Sequence, residues 1–135
     1  MIGILLVTHG KFGNELIKSA ELIVGRQKNT LALGLEHGDD VEELRRKVKE
    51  AIKDLEQGHG VLVLTDLFGG SPSNVSTANM KEMKFQCLTG VNLPMLLEAF
   101  SSREYADLDT LADRCYHAGI EGIRNIKKIL DLDVI

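Results

Sequence analysis

Apolar residues in this chain follow two alternating rhythms. Ile2 to Val7 is a short aliphatic run, unbroken except at Gly3, the pattern of a strand covered on both faces. Leu16, Ala20, Ile23 and Val24 then recur at helical spacing until Gly25 stops the helix. Thr30 to Leu35 is a second short run. From Asp40 an acidic first turn leads into Val41, Leu44, Val48, Ile52 and Leu55, an amphipathic helix carrying Glu42–Arg46 and Glu43–Lys47 pairs four residues apart. Gly58 and Gly60 close that unit. Val61 to Thr65 is the third strand, and Ser71 as N-cap with Pro72 at the first helical position opens the next helix. Phe85 to Thr89 is a fourth strand, followed by the turn Gly90-Val91-Asn92-Leu93-Pro94. The remainder reads as a short helix from Leu93 to Phe100 and one long helix from Leu108 to Leu130. Gly119 and Gly122 interrupt the long helix where it packs closely or bends. The tail, Leu132-Asp133-Val134-Ile135, suits an edge strand.

Strands alternating with helices imply a parallel sheet with right-handed crossovers. The expected fold is α/β, a flavodoxin-like doubly wound sheet of strand order 2-1-3-4, as a single domain over residues 1–135. In that order strands one and three are neighbours, their following helices lie on opposite faces, and the gap between them is a topological switch point where ligands bind. His9 ends strand one and Asp66 ends strand three. The order predicts that they meet.

Composition narrows the class. The chain has 135 residues, enough for one core, and scarce aromatics make that core aliphatic. A net charge of -4 with no basic block argues against nucleic acid. Cys87 and Cys115 share no short spacing and read as small buried thiols in a reducing compartment. The first apolar run is too short for a signal or a membrane span, so the chain is expected to be cytoplasmic.

Thr8-His9-Gly10 and the stretch Thr65 to Asn74 carry the chemistry. Neutral imidazole is a good nucleophile when one ring nitrogen is free and the other keeps its proton. A carboxylate that accepts that N–H fixes the tautomer and stabilises the cation formed on attack. Asp66 stands where it can do this for His9. Gly69 and Gly70 let a backbone approach closely, the helix start offers free N–H groups to an anion, and Thr8, Ser71 and Ser73 add hydroxyls. Together they point to phosphoryl chemistry on histidine. His37, His59 and His117 have no such company and read as loop or helix-surface residues. No two histidines fall at metal-ligand spacing, neither G-x-G-x-x-G nor a P-loop motif occurs, and no cofactor is expected. The phosphoryl donor is then another protein.

These residues resemble the enzyme IIA component of the mannose-family bacterial sugar phosphotransferase system. The resemblance runs over nearly the whole chain: Thr8-His9-Gly10, Ala20-Glu21 before Gly25, Gly38, Thr65-Asp66 with Gly69-Gly70-Ser71-Pro72 and Asn74, and Gly90-Val91-Asn92-Leu93-Pro94-Met95-Leu96. It implies that His9 takes a phosphoryl group from the carrier HPr and passes it to a histidine of a cognate enzyme IIB, which serves a membrane permease. It implies that Asp66 orients the imidazole and that Ser71 belongs to the phosphate-contacting turn. It also implies a homodimer that exchanges a C-terminal strand, and a IIB on a separate chain. The loop Glu36-His37-Gly38-Asp39-Asp40 is more acidic than a neighbour of a phosphoryl group should be, and Lys11 and Phe12 match no motif beyond contact with HPr.

Three other readings stay open on sequence. One is the IIA-like phosphoprotein of a dihydroxyacetone kinase, against which the Gly90 to Pro94 segment speaks. Another is a regulatory module read by its phosphorylation state. The last is a flavodoxin-like binding domain with an inert His9. The sugar is not encoded in this chain, and mannose, fructose, sorbose and N-acetylgalactosamine all remain open.

Overall fold

The computed structural model describes residues 1–134. Its elements run β1 (Gly3–His9), α1 (Phe12–Val24), β2 (Thr30–Leu35), α2 (Val41–Leu55), β3 (Val61–Thr65), α3 (Ser71–Asn79), β4 (Gln86–Leu88), α4 (Leu93–Ser102), α5 (Leu108–Glu121) and α6 (Ile126–Val134). The sheet is parallel, in the order β2-β1-β3-β4 expected from the alternation.

Side chains alternate faces along each central strand, and both faces are buried. Ile4 and Leu6 of β1, with Leu62 and Leu64 of β3, meet Ala20 of α1, Leu96 and Ala99 of α4 and Leu111 of α5. Leu5, Val7, Val61 and Val63 face the other way, against Leu44, Val48 and Ile52 of α2 and Val75 of α3. Each fully buried Leu, Ile or Val contributes roughly 1.5–3 kcal/mol over its exposed state, so this aliphatic sandwich carries most of the stability. The helices after β1 and β3 therefore lie on opposite faces, which opens the sheet's carboxyl edge between those two strands.

Three local expectations change. The long C-terminal helix is two helices: α5 ends at Glu121 with Gly122 as its C-cap, and α6 starts at Ile126. A side chain at Gly122 would lie 2.4 Å from Pro94 Cγ, and one at Gly119 would lie 2.9 Å from Met95 Cε, so both glycines let α5 seat on α4. Leu111 and Cys115 are buried, whereas Ile123, Ile126 and Leu130, beyond the break, are exposed. The expected C-terminal edge strand spans residues 132–135; the backbone is helical through Val134, and Ile135 lies outside the described residues. On α2, Lys47 pairs with Glu43 as expected, but Glu42 pairs with Arg45, three residues on.

Cys115 is buried and Cys87 half-buried, and neither is in a disulfide. Burial pushes Cys87 up to about 11, and burial followed by the charge of Glu98 pushes Cys115 up to about 12, far from the thiolate form.

Candidate functional site

β1 runs two residues beyond its aliphatic stretch, and its alternation sorts the end residues. Thr8 falls on the face of Ile4 and Leu6, beneath α1, and His9 falls on the face of Leu5 and Val7, toward α3. Thr8 is fully buried, and its Oγ1 accepts the Gly13 N–H at 3.0 Å. Thr8 thus anchors the first turn of α1, whose N-cap, Lys11, makes no side-chain cap.

His9 and Asp66 meet. His9 Nδ1 lies 2.9 Å from Asp66 Oδ2, and the same oxygen accepts the His9 backbone N–H at 2.9 Å. An ionised carboxylate only accepts, so Nδ1 carries the proton and Nε2 keeps a free lone pair. The imidazole is 49% exposed while the carboxylate is 14% exposed, an arrangement that lets a partner reach the ring but not its anchor. Asp66 Oδ1 is buried and receives no hydrogen bond among the described residues, so the imidazole and its own backbone are all that compensate the carboxylate.

Gly70 places the start of α3 directly on the ring. A Cβ there would lie 2.9 Å from His9 Cε1 and 3.5 Å from Nε2, so only glycine leaves the ring room to stand against this turn. Gly70, not Ser71, is the N-cap, and Pro72 falls one position later than expected. The first intrahelical bond runs from Asn74 N–H to the Gly70 carbonyl. Ser71 and Ser73 N–H therefore have no acceptor in the helix, and they form the positive end of the helix beside Nε2. Gly69 takes φ +83, the left-handed turn that turns the chain into α3. Ser73 is buried, and Ser71 stands half-buried at the helix start.

The opposite wall is the β2–α2 loop. Gly10 takes φ +54 and donates its N–H to the Leu35 carbonyl at 2.9 Å, and a Cβ at Gly34 would fall 2.0 Å from the Gly10 oxygen. This close approach ties the His9 turn to β2. Beyond it a cleft of about 340 Å³ is lined by His9, Leu35, Glu36, His37, Gly38 and Asp39. His37, which the sequence placed on a solvated loop, thus shares the cleft with His9. Phe12, three residues after His9, and Leu67 and Phe68, directly after Asp66, are exposed. The turn from Gly90 supports the site from behind: Val91 N–H bonds the Thr65 carbonyl, and Asn92 caps α4 while donating to the Gly119 carbonyl. The Asn-x-Pro spacing was the signal for that cap. Among the described residues no group of three His, Cys, Asp or Glu side chains is gathered as a metal ion would need, and no helix is long and apolar enough to cross a membrane.

Fold and site together define a doubly wound α/β protein built around an oriented, half-exposed imidazole at its switch point. The profile of the EIIA-man family, "PTS system fructose IIA component", matches residues 3–116, and the chain belongs to that family. It is 37% identical over 112 residues to the "PTS system fructose-specific EIIA component" of Bacillus subtilis, covering 82% of this chain and 77% of that protein. It is 32% identical over 128 residues to the "PTS system mannose-specific EIIAB component" of Escherichia coli, covering 93% of this chain but only 40% of that longer protein. Among solved structures it is similar to the phosphotransferase system component EIIA of Streptococcus agalactiae, with a TM-score of 0.88, 35% identity, and 95% and 99% of the two chains covered. Proteins of this family transfer phosphoryl groups in the phosphotransferase system that serves sugar transport.

Proposed function

We propose that His9 Nε2 is the phosphoryl acceptor of this chain, taking the group from phosphohistidine on HPr and handing it to a histidine of a cognate enzyme IIB during sugar uptake. The observation that carries this reading is the 2.9 Å contact of His9 Nδ1 with Asp66, which leaves Nε2 as the free nucleophile beside the start of α3.

The step balances without a cofactor. The Nε2 lone pair attacks phosphorus, and the N–P bond of the donor breaks with its electron pair returning to the donor nitrogen. His9 becomes a phosphoimidazolium, its Nδ1 proton still held by Asp66, and the donor, itself a phosphoimidazolium whose other ring nitrogen keeps its proton, leaves as neutral imidazole. No proton has to move. Bonds of the same kind form and break, so transfer is nearly isoenergetic and the protein contributes positioning and charge stabilisation. Asp66 meets the positive charge that grows on the ring, and the Ser71 and Ser73 N–H groups at the helix start meet the equatorial phosphoryl oxygens. Ser71 Oγ and the Gly69–Gly70 backbone complete the phosphate-binding turn.

A half-exposed ring, with Phe12, Leu67 and Phe68 exposed close to His9 and Asp66 in the chain, suits a protein donor, which buries such side chains on docking, better than a small solute. A homodimer is part of the same reading. Leu22 and Ile23 of α1 and Ile123, Ile126 and Leu130 after the α5 break are exposed apolar side chains that a second subunit would cover. The reading places the chain in the cytoplasm, where HPr is charged.

The test is incubation with enzyme I, HPr and labelled phosphoenolpyruvate, followed by peptide mapping of acid-labile label. Label is expected on His9, dependent on HPr, and absent from a His9→Ala variant with an unchanged circular dichroism spectrum. Label that persists in that variant would refute the site.

A further inference from the structure

The β2–α2 loop presents a charge problem. It carries Glu36, Asp39 and Asp40 beside a ring that would bear a doubly negative group. The structure shows how two of these carboxylates are used. Asp39 Oδ2 accepts the Glu36 N–H at 2.7 Å and closes the turn, while Asp40 Oδ1 accepts the Glu42 N–H at 3.0 Å and caps α2. Both charges are committed to backbone N–H groups, and they fix the loop in its shape rather than standing free. The turn so held places His37 at the apex of the loop, lining the same cleft of about 340 Å³ as His9.

We propose that His37 is a second imidazole of the transfer site, which in its cationic form donates a hydrogen bond to the phosphoryl group on His9 and favours the phosphorylated state. This rests on His9 being the acceptor. Among the described residues that line the cleft, no side chain other than the two imidazoles can carry a positive charge: its ionisable lining is His9 from β1, with Asp66 of β3 behind the ring, and Glu36, His37 and Asp39 from the loop. The α3 helix start approaches the ring from the other side through Gly70, so His37 and the helix would hold the phosphoryl group between them. An imidazole can gain or lose its charge in the working range, whereas a lysine would be charged at every working pH. An imidazole therefore makes the strength of the contact depend on pH in the neutral range. Near neutral pH the acidic loop then works as a support for a switchable cation, and its apparent conflict with the anion disappears.

The experiment measures the equilibrium between phospho-HPr and phospho-His9 at about pH 6 and about pH 8, for the wild type, His37→Asn and His37→Lys. Sharing one donor cancels the titration of HPr and of the phosphoryl group. At the lower pH the wild type should hold roughly two- to fivefold more phospho-His9 than His37→Asn, the scale of one partly exposed charge contact. At the higher pH those two should converge, and His37→Lys should stay high at both. A His37→Asn variant equal to the wild type at the lower pH would overturn the proposal, as would a loss that lysine does not restore. If wild type takes no label while HPr is charged, the acceptor assignment itself fails, a result distinct from the other two.

Discussion

The two ends of this sheet are built from the same strands and solve opposite problems. At the carboxyl end polar groups are left available: His9 Nε2, the first N–H groups of α3 and a buried Asp66 oxygen without a donor among the described residues. At the amino end the polar groups are consumed. Arg103, 2% exposed at the end of α4, donates to the carbonyls of Ile2, Lys28 and Asn29, to Gln27 Oε1 and to Thr30 Oγ1, and lies 5.4 Å over the Phe100 ring. Burial lowers its pKa, with Glu104 opposing, and a guanidinium stays charged through such a shift. One arginine thus sews the starts of β1 and β2 to α4. Stability is concentrated where nothing reacts, and unmet bonding capacity is concentrated where something must bind.

The comparison breaks most sharply at Arg103. Arg103→Met keeps the length of the stem but leaves several buried carbonyls without a donor, each costing about 1–3 kcal/mol. We expect a loss of at least about 3 kcal/mol in urea denaturation, equivalent to a melting point lower by on the order of 10 °C. Label uptake by the molecules that remain folded should be unaffected. A melting point within experimental error of the wild type would show that the clamp is incidental.

Asp66→Asn probes the other end. Asn can still fix the ring but has no charge to offset the phosphoimidazolium, so the rate of label uptake from HPr should fall on the order of a hundredfold without vanishing. Stability should change by less than about 1 kcal/mol, because the replaced carboxylate already holds an unmet buried oxygen. An unchanged transfer rate would remove Asp66 from the mechanism. Arg103 and Asp66 should thus separate stability from transfer in opposite senses.

The same contrast explains what the sequence disclosed. His9 and Asp66 were legible because the shift from strand to helix period marks strand ends, and strand order follows from the alternation of elements. The anchoring role of Thr8 went unread although its signal was present: two-residue alternation from Ile4 through Leu6 places it under α1. The N-cap of α3 slipped by one residue because Gly70 and Ser71 are both acceptable caps, and the choice was made by the approach of the chain to the imidazole. The break between α5 and α6 follows from packing on Pro94, a contact no helix periodicity encodes. Arg103 was invisible, since its partners are mostly main-chain carbonyls more than seventy residues away, and a carbonyl has no letter in the sequence. His37 looked like any loop histidine until the register of β1 and β2 brought the two strand ends side by side.

The smallest predicted effect sharpens the comparison at its electrostatic edge. Glu56, just after α2 on the amino side of β3, accepts the N–H groups of Gly58 at 2.8 Å and Gly60 at 2.9 Å through one oxygen. The bond from Gly60 is the main cause of a carboxyl pKa below its ordinary 4.5; burial, the next largest influence, opposes it, and the Gly58 N–H adds to it. A carboxyl whose folded pKa lies below its unfolded one adds stability above the unfolded value, and that contribution disappears as pH falls through the folded one. Glu56 should therefore contribute a constant amount at neutral pH and lose it below about pH 4.5, where Glu56→Gln, which cannot ionise, has nothing comparable to lose. Urea midpoints taken from about pH 7 down to about pH 3 should fall more steeply for the wild type than for Glu56→Gln, and parallel curves would contradict the assignment. Because this carboxylate and the His9–Asp66 pair sit at opposite ends of the sheet, substituting it should leave label uptake by folded protein at neutral pH unaltered.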